Sequence, residues 1–194
     1  GLLHELGDDT SVYAGGTELL LLLKLQLAQV ADLVDLKRIP GLDAISVDDQ
    51  GTLSIGATAT HRRIARSPLV STGWPALAFV EAHIANIRVR TIGTLGGNLC
   101  FADPHSDPAS LLLVADARVT LGSGDSRRSL PLGEFLVGPW ETALESGELL
   151  LSIEVPALPA FNLQKAISTT IRNHKRDYWT GSVYTTNRRV WEHD

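Results

Sequence analysis

Two glycine turns, separated by about eighty residues, constrain this chain more than any other feature of its sequence. The first is Ala14-Gly15-Gly16-Thr17-Glu18, and the second is Thr94-Leu95-Gly96-Gly97-Asn98. Each follows a short apolar or β-branched stretch and precedes a stretch compatible with a helix. Glycine lets the backbone approach a ligand closely and leaves N–H groups uncovered by a Cβ. Where such a turn leads into a helix, its N–H groups favour a phosphate or pyrophosphate. We therefore expect the two loops to hold one extended anionic ligand.

Charge and cysteine content exclude several classes of protein. The formal net charge of −5 disfavours a nucleic-acid-binding protein, which normally has a basic face. The single cysteine, Cys100, excludes an internal disulfide and fits a reducing compartment, so we expect a cytoplasmic protein. The leucine run at 19–23 is followed by Lys24 and Gln26 and is far shorter than the ~20 apolar residues of a membrane span. The chain lacks an initiator methionine, and we expect a fragment.

Periodicity and turn residues predict a chain of alternating strands and helices. We expect the leucine-rich helix to be buried because it is apolar on nearly every side. Thr60 and Asp107 are the residues expected to cap helices. The predicted strands are 11–14, 32–36, 42–47, 52–57, 118–122, 127–130 and 148–155, and the predicted helices are 17–28, 60–66, 75–87 and 108–115. Short βα units followed by hairpins indicate the α+β class with two subdomains.

Several common sites are absent from the sequence. The chain has no G-x-x-x-x-G-K-[ST] motif and no complete dinucleotide fingerprint, which disfavours a P-loop and a Rossmann domain. His61, His83 and His105 do not have metal-ligand spacing, so we expect core or surface histidines and no metal site. Cys100, between Leu99 and Phe101, is expected to be a small buried hydrophobe.

The polar segment after the second turn has two interpretations. Asp107 lies in a stretch stiffened by two prolines, and its carboxylate could accept hydrogen bonds from sugar or ribityl hydroxyls. It could equally be a helix cap, and the spacing does not decide between the two. Arg88 and Arg90 precede the second turn and either pair with phosphate or are solvated. Glu18 either bonds a ligand hydroxyl or favours the first turn of its helix.

These motifs together resemble the FAD-binding (medium) subunit of the molybdenum hydroxylases. That family includes the carbon monoxide dehydrogenase medium subunits and the flavin domain of xanthine dehydrogenase. The resemblance covers roughly residues 1–160, and six spaced motifs occur in the family's order. They lie at residues 12–20, 33–36, 55–57 with 60–61, 89–98, 106–109 and 147–156.

The resemblance implies a PCMH-type FAD-binding domain. Its small N-terminal α/β subdomain would span residues 1–57, and a larger subdomain with an antiparallel sheet would span 58–160. Residues 161–194, which are basic and match weakly, would be a divergent tail and a possible remnant of a C-terminal domain. FAD would lie between the subdomains, with its pyrophosphate near both turns. The implied cofactor contacts are Ala14, Gly15, Gly16, Thr17, Glu18, Ala85, Thr94, Leu95, Gly96, Gly97, Asn98, Asp107 and Leu150.

The resemblance also implies a role. FAD would relay electrons from an iron–sulfur small subunit to an external acceptor, while a molybdenum–pterin large subunit oxidises the substrate. No residue of this chain is therefore expected to be a general acid or base, since the redox chemistry belongs to the cofactor. An alternative is a degenerate nucleotide-binding module that keeps the fold without turnover. A flavin oxidase of the vanillyl-alcohol type is disfavoured because the chain has no room for a substrate domain.

Overall fold

The computed structural model describes residues 9–157, and this part of the chain mixes helices and sheets. Its strands are β1 (Thr10–Tyr13), β2 (Asp32–Asp35), β3 (Ile45–Val47), β4 (Leu53–Gly56), β5 (Arg118–Ser123), β6 (Ser126–Pro131), β7 (Leu136–Gly138), β8 (Glu141–Thr142) and β9 (Leu149–Val155). Its α-helices are α1 (Leu19–Lys24), α2 (His61–Ala65), α3 (Pro68–Gly73), α4 (Pro75–His83), α5 (Ile87–Ile92), α6 (Leu95–Phe101), α7 (Asp107–Val114) and α8 (Leu132–Phe135). A 3₁₀ turn, Leu36–Arg38, follows β2. None of these helices is long and apolar enough to cross a membrane.

The main sheet has five antiparallel strands in the order β3-β4-β9-β5-β6. Its central strand, β9, alternates in the way a half-buried strand does: Ile153 and Val155 are buried, while Ser152 and Glu154 are partly exposed. Both predicted hairpins, β3–β4 and β5–β6, are confirmed. β1 and β2 pair separately and in parallel, so both strands end at the same edge.

One apolar core connects the main sheet to the helices. Sheet residues such as Ile55 and Ile153 are fully buried, and so are Leu95 and Leu99 on α6. The segment 57–59, which leads from β4 towards α2, is buried as well. Because α6 begins at the second glycine turn, the core fixes the position of that turn.

The prediction that the leucine-rich helix is buried is wrong. α1 has no buried residue, and Leu20 and Leu21 are 44% and 49% exposed. The helix also ends earlier than predicted, because Gln26 takes a left-handed conformation with φ 58°. Within residues 9–157 the first subdomain supplies only a two-stranded sheet and a 3₁₀ turn, too little surface to cover leucines on every side of a helix.

Two predicted helix ends also differ from the structure. The helix predicted over 75–87 stops at His83, because the Asn86 side chain accepts hydrogen bonds from the N–H groups of Arg88 and Val89 and starts a new helix there. The predicted cap at Asp107 is wrong: Ser106 caps α7 by accepting from the N–H of Ala109, at 3.1 Å. The predicted cap at Thr60 is confirmed, with Arg63 as the donor.

The predicted division into residues 1–57 and 58–160 remains a prediction. β3 and β4 lie before residue 57 in the chain, yet they pair with β9 in the main sheet. A boundary that respects the sheets therefore falls between β2 and β3. The third predicted segment, 161–194, lies outside the described residues.

Candidate functional site

The first glycine turn leaves β1 at the edge where β2 also ends. Because the two strands are parallel, Lys37, two residues after β2, reaches the turn and donates from Nζ to the carbonyl of Ala14 at 3.0 Å. The ammonium group also lies 4.1 Å from the centre of the Tyr13 ring. Asp35 holds it at 3.1 Å, and a hydrogen bond from the N–H of Lys37 keeps the pKa of the Asp35 carboxyl below its usual value. Lys37 is not among the site residues predicted from the sequence; the parallel pairing of β1 and β2 is what brings it to the turn.

The backbone of the first turn presents unpaired donors. Among the described residues, the N–H groups of Gly15, Gly16, Thr17 and Glu18 have no hydrogen-bond acceptor. Gly16 has φ 70°, a conformation that glycine adopts without strain. Successive free N–H groups beside a lysine ammonium form a concave donor surface suited to an anion.

The structure brings the first turn against the residues that lead into the second. A Cβ built on Gly15 would lie 2.7 Å from the Cα of Gly93 and would overlap the carbonyl oxygen of Ile92. The backbones therefore touch at Gly15 and Gly93, and only glycine permits this approach. We call this contact the junction. Gly93 directly precedes Thr94, so the first turn lies against the backbone immediately before the second turn.

The backbone N–H groups of the second turn were expected to be free for a ligand, but they are hydrogen-bonded within the protein. The N–H of Leu95 donates to the carbonyl of Ala59 and that of Gly96 to Ala57, both at 3.1 Å. Thr94 Oγ1 accepts from the N–H of Gly97, also at 3.1 Å, as the cap of α6. The expectation that these N–H groups are free for a ligand is therefore wrong.

Gly96 is required for the packing of the second turn against the segment that follows β4. A Cβ on Gly96 would lie 2.7 Å from the Cβ of Ala57 and would overlap the carbonyl oxygen of that residue. The helix start is thus held tightly against the buried segment after β4. Gly97, by contrast, is exposed, and its Cβ would contact only Thr94 Oγ1.

The polar segment after α6 lies next to the second turn. The Ser106 hydroxyl donates to Asn98 Oδ1 at 2.5 Å, which joins the start of α7 to the end of the turn. This contact holds Asn98 against Ser106, the residue before the half-buried Asp107. Asn98 and Asp107 are thus near each other, as the interpretation as hydroxyl-binding residues requires.

Two other predicted contacts, Ala85 and Leu150, have surroundings that differ from those of the turns. Ala85 is exposed with φ 39°, and its carbonyl accepts from the Arg90 guanidinium at 3.0 Å. Arg90 also binds the carbonyl of Ile84, so it stabilises this loop and is not simply solvated. Leu150 is 4% exposed and lies in the core opposite Leu121, which leaves little of its surface for a ligand.

A buried histidine and a buried glutamate are hydrogen-bonded to each other next to Gly93. His61 Nδ1 and Glu81 Oε2 are 2.7 Å apart, and both side chains are almost completely buried. The N–H of His61 donates to the carbonyl of Gly93 at 3.1 Å. Glu81 Oε1 has no partner among the described residues. The prediction of a core histidine is confirmed at His61.

The remaining titratable groups have structural surroundings. His83 Nδ1 lies 2.7 Å from the carbonyl of Phe79, and its ring stacks on the Phe79 ring. His105 lies beside Asp103 at the surface. Burial raises the pKa of the Cys100 thiol to about 12, so the thiol stays protonated and unreactive at neutral pH. Its side chain packs against the core but is only partly buried, less completely than predicted.

Comparisons with known proteins identify relatives of this architecture. A family model described as the FAD binding domain in molybdopterin dehydrogenase matches residues 1–158. The 6-hydroxypseudooxynicotine dehydrogenase complex subunit alpha of Paenarthrobacter nicotinovorans is 39% identical over 158 residues, covering 81% of this chain and 53% of that protein. The carbon monoxide dehydrogenase medium chain of Hydrogenophaga pseudoflava is 36% identical over 156 residues, covering 80% of this chain and 54% of that protein.

Solved structures agree with the sequence relatives. Carbon monoxide dehydrogenase from Hydrogenophaga pseudoflava matches with a TM-score of 0.79 and 37% identity, over 82% of this chain and 55% of that chain. Quinoline 2-oxidoreductase from Pseudomonas putida 86 matches with a TM-score of 0.78 and 37% identity, over the same shares. The α+β fold predicted from the motifs is confirmed. The chain spans about half the length of the curated relatives it matches.

Proposed function

The chain belongs to the family of FAD-binding domains of molybdopterin dehydrogenases, and we propose that it is the FAD-carrying electron-transfer subunit of a molybdenum hydroxylase complex. Its cofactor is FAD, and it is a component of an oxidoreductase. One observation supports the site most strongly: unpaired N–H groups at residues 15–18 lie beside the contact between Gly15 and Gly93. Free donors next to a backbone contact that excludes side chains fit a pyrophosphate.

The two turns hold the cofactor in different ways in this proposal. The first turn binds the pyrophosphate through the N–H groups of Gly15 to Glu18, and the Lys37 ammonium adds positive charge next to them. The segment that leads into the second turn positions the first, because Gly93 limits where the backbone of Gly15 lies. Within the second turn, Asn98 and the half-buried Asp107 are the residues we assign to the cofactor's hydroxyls. The other predicted contacts, including Ala85 and Leu150, remain proposals.

The protein's contribution is to bind and orient the cofactor. Bound FAD supplies the electron-accepting and electron-donating chemistry. We assign no general acid or base, because the titratable groups at the junction are either engaged in the core, as His61 and Glu81 are, or paired at its edge, as Lys37 and Asp35 are. We propose an iron–sulfur small subunit and a molybdenum–pterin large subunit as partners, and the cytoplasm as the location.

The first experiment tests flavin binding. The purified chain is titrated with FAD, and binding is followed by quenching of flavin fluorescence and by the visible flavin absorption that remains after gel filtration. We expect a 1:1 complex. FMN is the matched ligand, because it lacks the pyrophosphate and adenosine, and we expect it to bind much more weakly. Equal affinity for the two flavins would contradict the placement of the pyrophosphate on the first turn.

The second experiment tests the relay. The FAD-loaded chain is mixed under anaerobic conditions with the reduced cognate iron–sulfur subunit, and bleaching of the flavin absorption is recorded. Electron transfer to the bound flavin supports the relay function. A chain that binds FAD and accepts no electrons would instead be the degenerate nucleotide-binding module, so this assay separates the two functions after binding is established.

A further inference from the structure

An open groove lined by arginines lies beside the junction and is not used by the proposed function. Its volume is about 590 Å³, within the range of ~300–1,000 Å³ typical of small-ligand sites. Arg62, Arg63 and Arg66, all from the region of α2, line it. This concentration of positive charge occurs in a chain whose formal net charge is −5. The local charge therefore has the opposite sign to that of the whole molecule.

Counter-charge for these arginines is scarce in the described residues. Arg63 pairs with the Asp43 carboxylate. The guanidinium groups of Arg62 and Arg66 make no ion pair or hydrogen bond anywhere in residues 9–157. Arg62 and Arg66 are also four positions apart, a spacing at which two like charges repel. The guanidinium groups of Arg62 and Arg66 are therefore available to an external anion.

The other polar groups of the groove offer donors to a ligand. Thr60 and Ser67 line it, and the oxygen of each already accepts a backbone N–H as a helix cap. Their hydroxyl protons remain free to donate. Ile45 contributes an apolar wall. A groove that offers guanidinium and hydroxyl donors beside an apolar wall fits an anion whose oxygens all accept, attached to a carbon group.

We propose that this groove binds the phosphate group of a small phosphate ester, at a site separate from FAD. A planar guanidinium group can donate to two oxygens of one phosphate. Arg62 and Arg66, which have no carboxylate partner in the described residues, can bind one phosphate together. The groove adjoins the second turn, because Thr60 and Thr94 form a β-bridge, yet its arginines belong to neither glycine turn. The site does not depend on the proposed function, and its ligand is distinct from the flavin.

The test uses the full chain saturated with FAD, with phenyl phosphate and inorganic phosphate as probes in isothermal titration calorimetry. Arg62→Ala and Arg66→Ala are each expected to weaken phenyl phosphate binding at least about tenfold, and to leave the stoichiometry of bound FAD unchanged. Arg127→Ala is the matched control, because Arg127 is an exposed arginine on β6, at the opposite edge of the main sheet from Ile45 on β3. It is expected to bind the probe as the unaltered chain does.

Three results would overturn the proposal. The first is phosphate binding that neither Arg62→Ala nor Arg66→Ala weakens. The second is loss of phosphate binding when FAD is added, which would make the groove part of the flavin site. The third is binding of an oligoglutamate peptide in place of both phosphates, which would assign the groove to an acidic protein segment. If the chain binds no FAD at all, the same variants are measured without it, so failure of the proposed function leaves this test intact.

Discussion

Replacement of Gly15 by alanine tests the contact between the two turns most directly. The new Cβ would lie 2.7 Å from the Cα of Gly93, where carbon atoms prefer a separation of about 3.5 Å. Both contacting groups are backbone, so no side chain can rotate away. The first turn must therefore move by roughly 0.8 Å, and it moves away from the residues that place it.

This displacement sets the expected loss of affinity. A hydrogen bond of about 2.9 Å lengthened by roughly 0.8 Å leaves the range in which N–H groups bind oxygen. Loss of two such bonds to a charged phosphate, at about 1.5 kcal/mol each, is worth about 3 kcal/mol, or a rise in Kd of roughly 150-fold. The free energy of unfolding should also fall by about 1–3 kcal/mol, because the substitution overpacks a tight contact.

The assay is fluorescence titration of FAD together with urea unfolding of the same samples. Gly73→Ala is the matched control, since a Cβ there meets nothing within 4 Å and its φ is not positive. It should keep the affinity of the unaltered chain. A Gly15→Ala protein that unfolds cooperatively and binds FAD with a Kd within about threefold of the control would refute this prediction. A threefold change corresponds to only about 0.7 kcal/mol, far less than the expected 3 kcal/mol, since about 1.4 kcal/mol corresponds to tenfold.

Three further predictions follow from the surroundings of single residues. Gly96→Ala should lower the free energy of unfolding by about 1–3 kcal/mol through overlap with Ala57, while the folded fraction keeps its FAD affinity; equal loss of both would show that Gly96 contacts the ligand. The hydrogen bond from Arg128 holds the pKa of the Glu148 carboxyl below its usual value. This pair should therefore stabilise the fold above the unfolded-state pKa of about 4.3 and lose that effect as the pH falls further, and Glu148→Gln should show a smaller drop in urea midpoint between about pH 7 and pH 3. The Cys100 thiol, with its pKa raised to about 12, should react with a disulfide reagent slowly in the folded chain and rapidly in urea; fast reaction in both would contradict its burial.

The features of the fold that were predicted correctly are those determined by residues adjacent in the sequence. The β5–β6 hairpin and the helix cap at Thr60 follow from a few adjacent residues, and both were predicted correctly. The burial of α1 was predicted wrongly, since apolar composition does not say whether other elements are available to cover a helix. The cap at Ser106 was assigned one residue late because serine and aspartate are both good caps at adjacent positions.

The hydrogen bonding of the two glycine turns was not predictable from the sequence, and the cofactor site remains a proposal. Both glycine turns read alike in the sequence, and both predicted free N–H groups. Only the tertiary structure shows that the N–H groups of Leu95 and Gly96 donate to carbonyls of residues 57–59. Those of Gly15 and Gly16 have no acceptor among the described residues. Hydrogen bonds between segments far apart in the chain have no signature in the local pattern, which is why Lys37 was also missed.

A series of contacts from the core to Gly15 determines the position of the first turn. Helix α4 places Glu81, Glu81 binds the ring of His61, and the backbone of His61 binds the carbonyl of Gly93. Gly93 in turn limits where Gly15 lies. The first turn, which we propose binds the pyrophosphate, is thus positioned by the core around the main sheet, because the strands next to it form only a two-stranded sheet and α1 is exposed in the described residues. A turn on so small a unit depends on the larger unit for its position, and the contact between Gly15 and Gly93 joins the two.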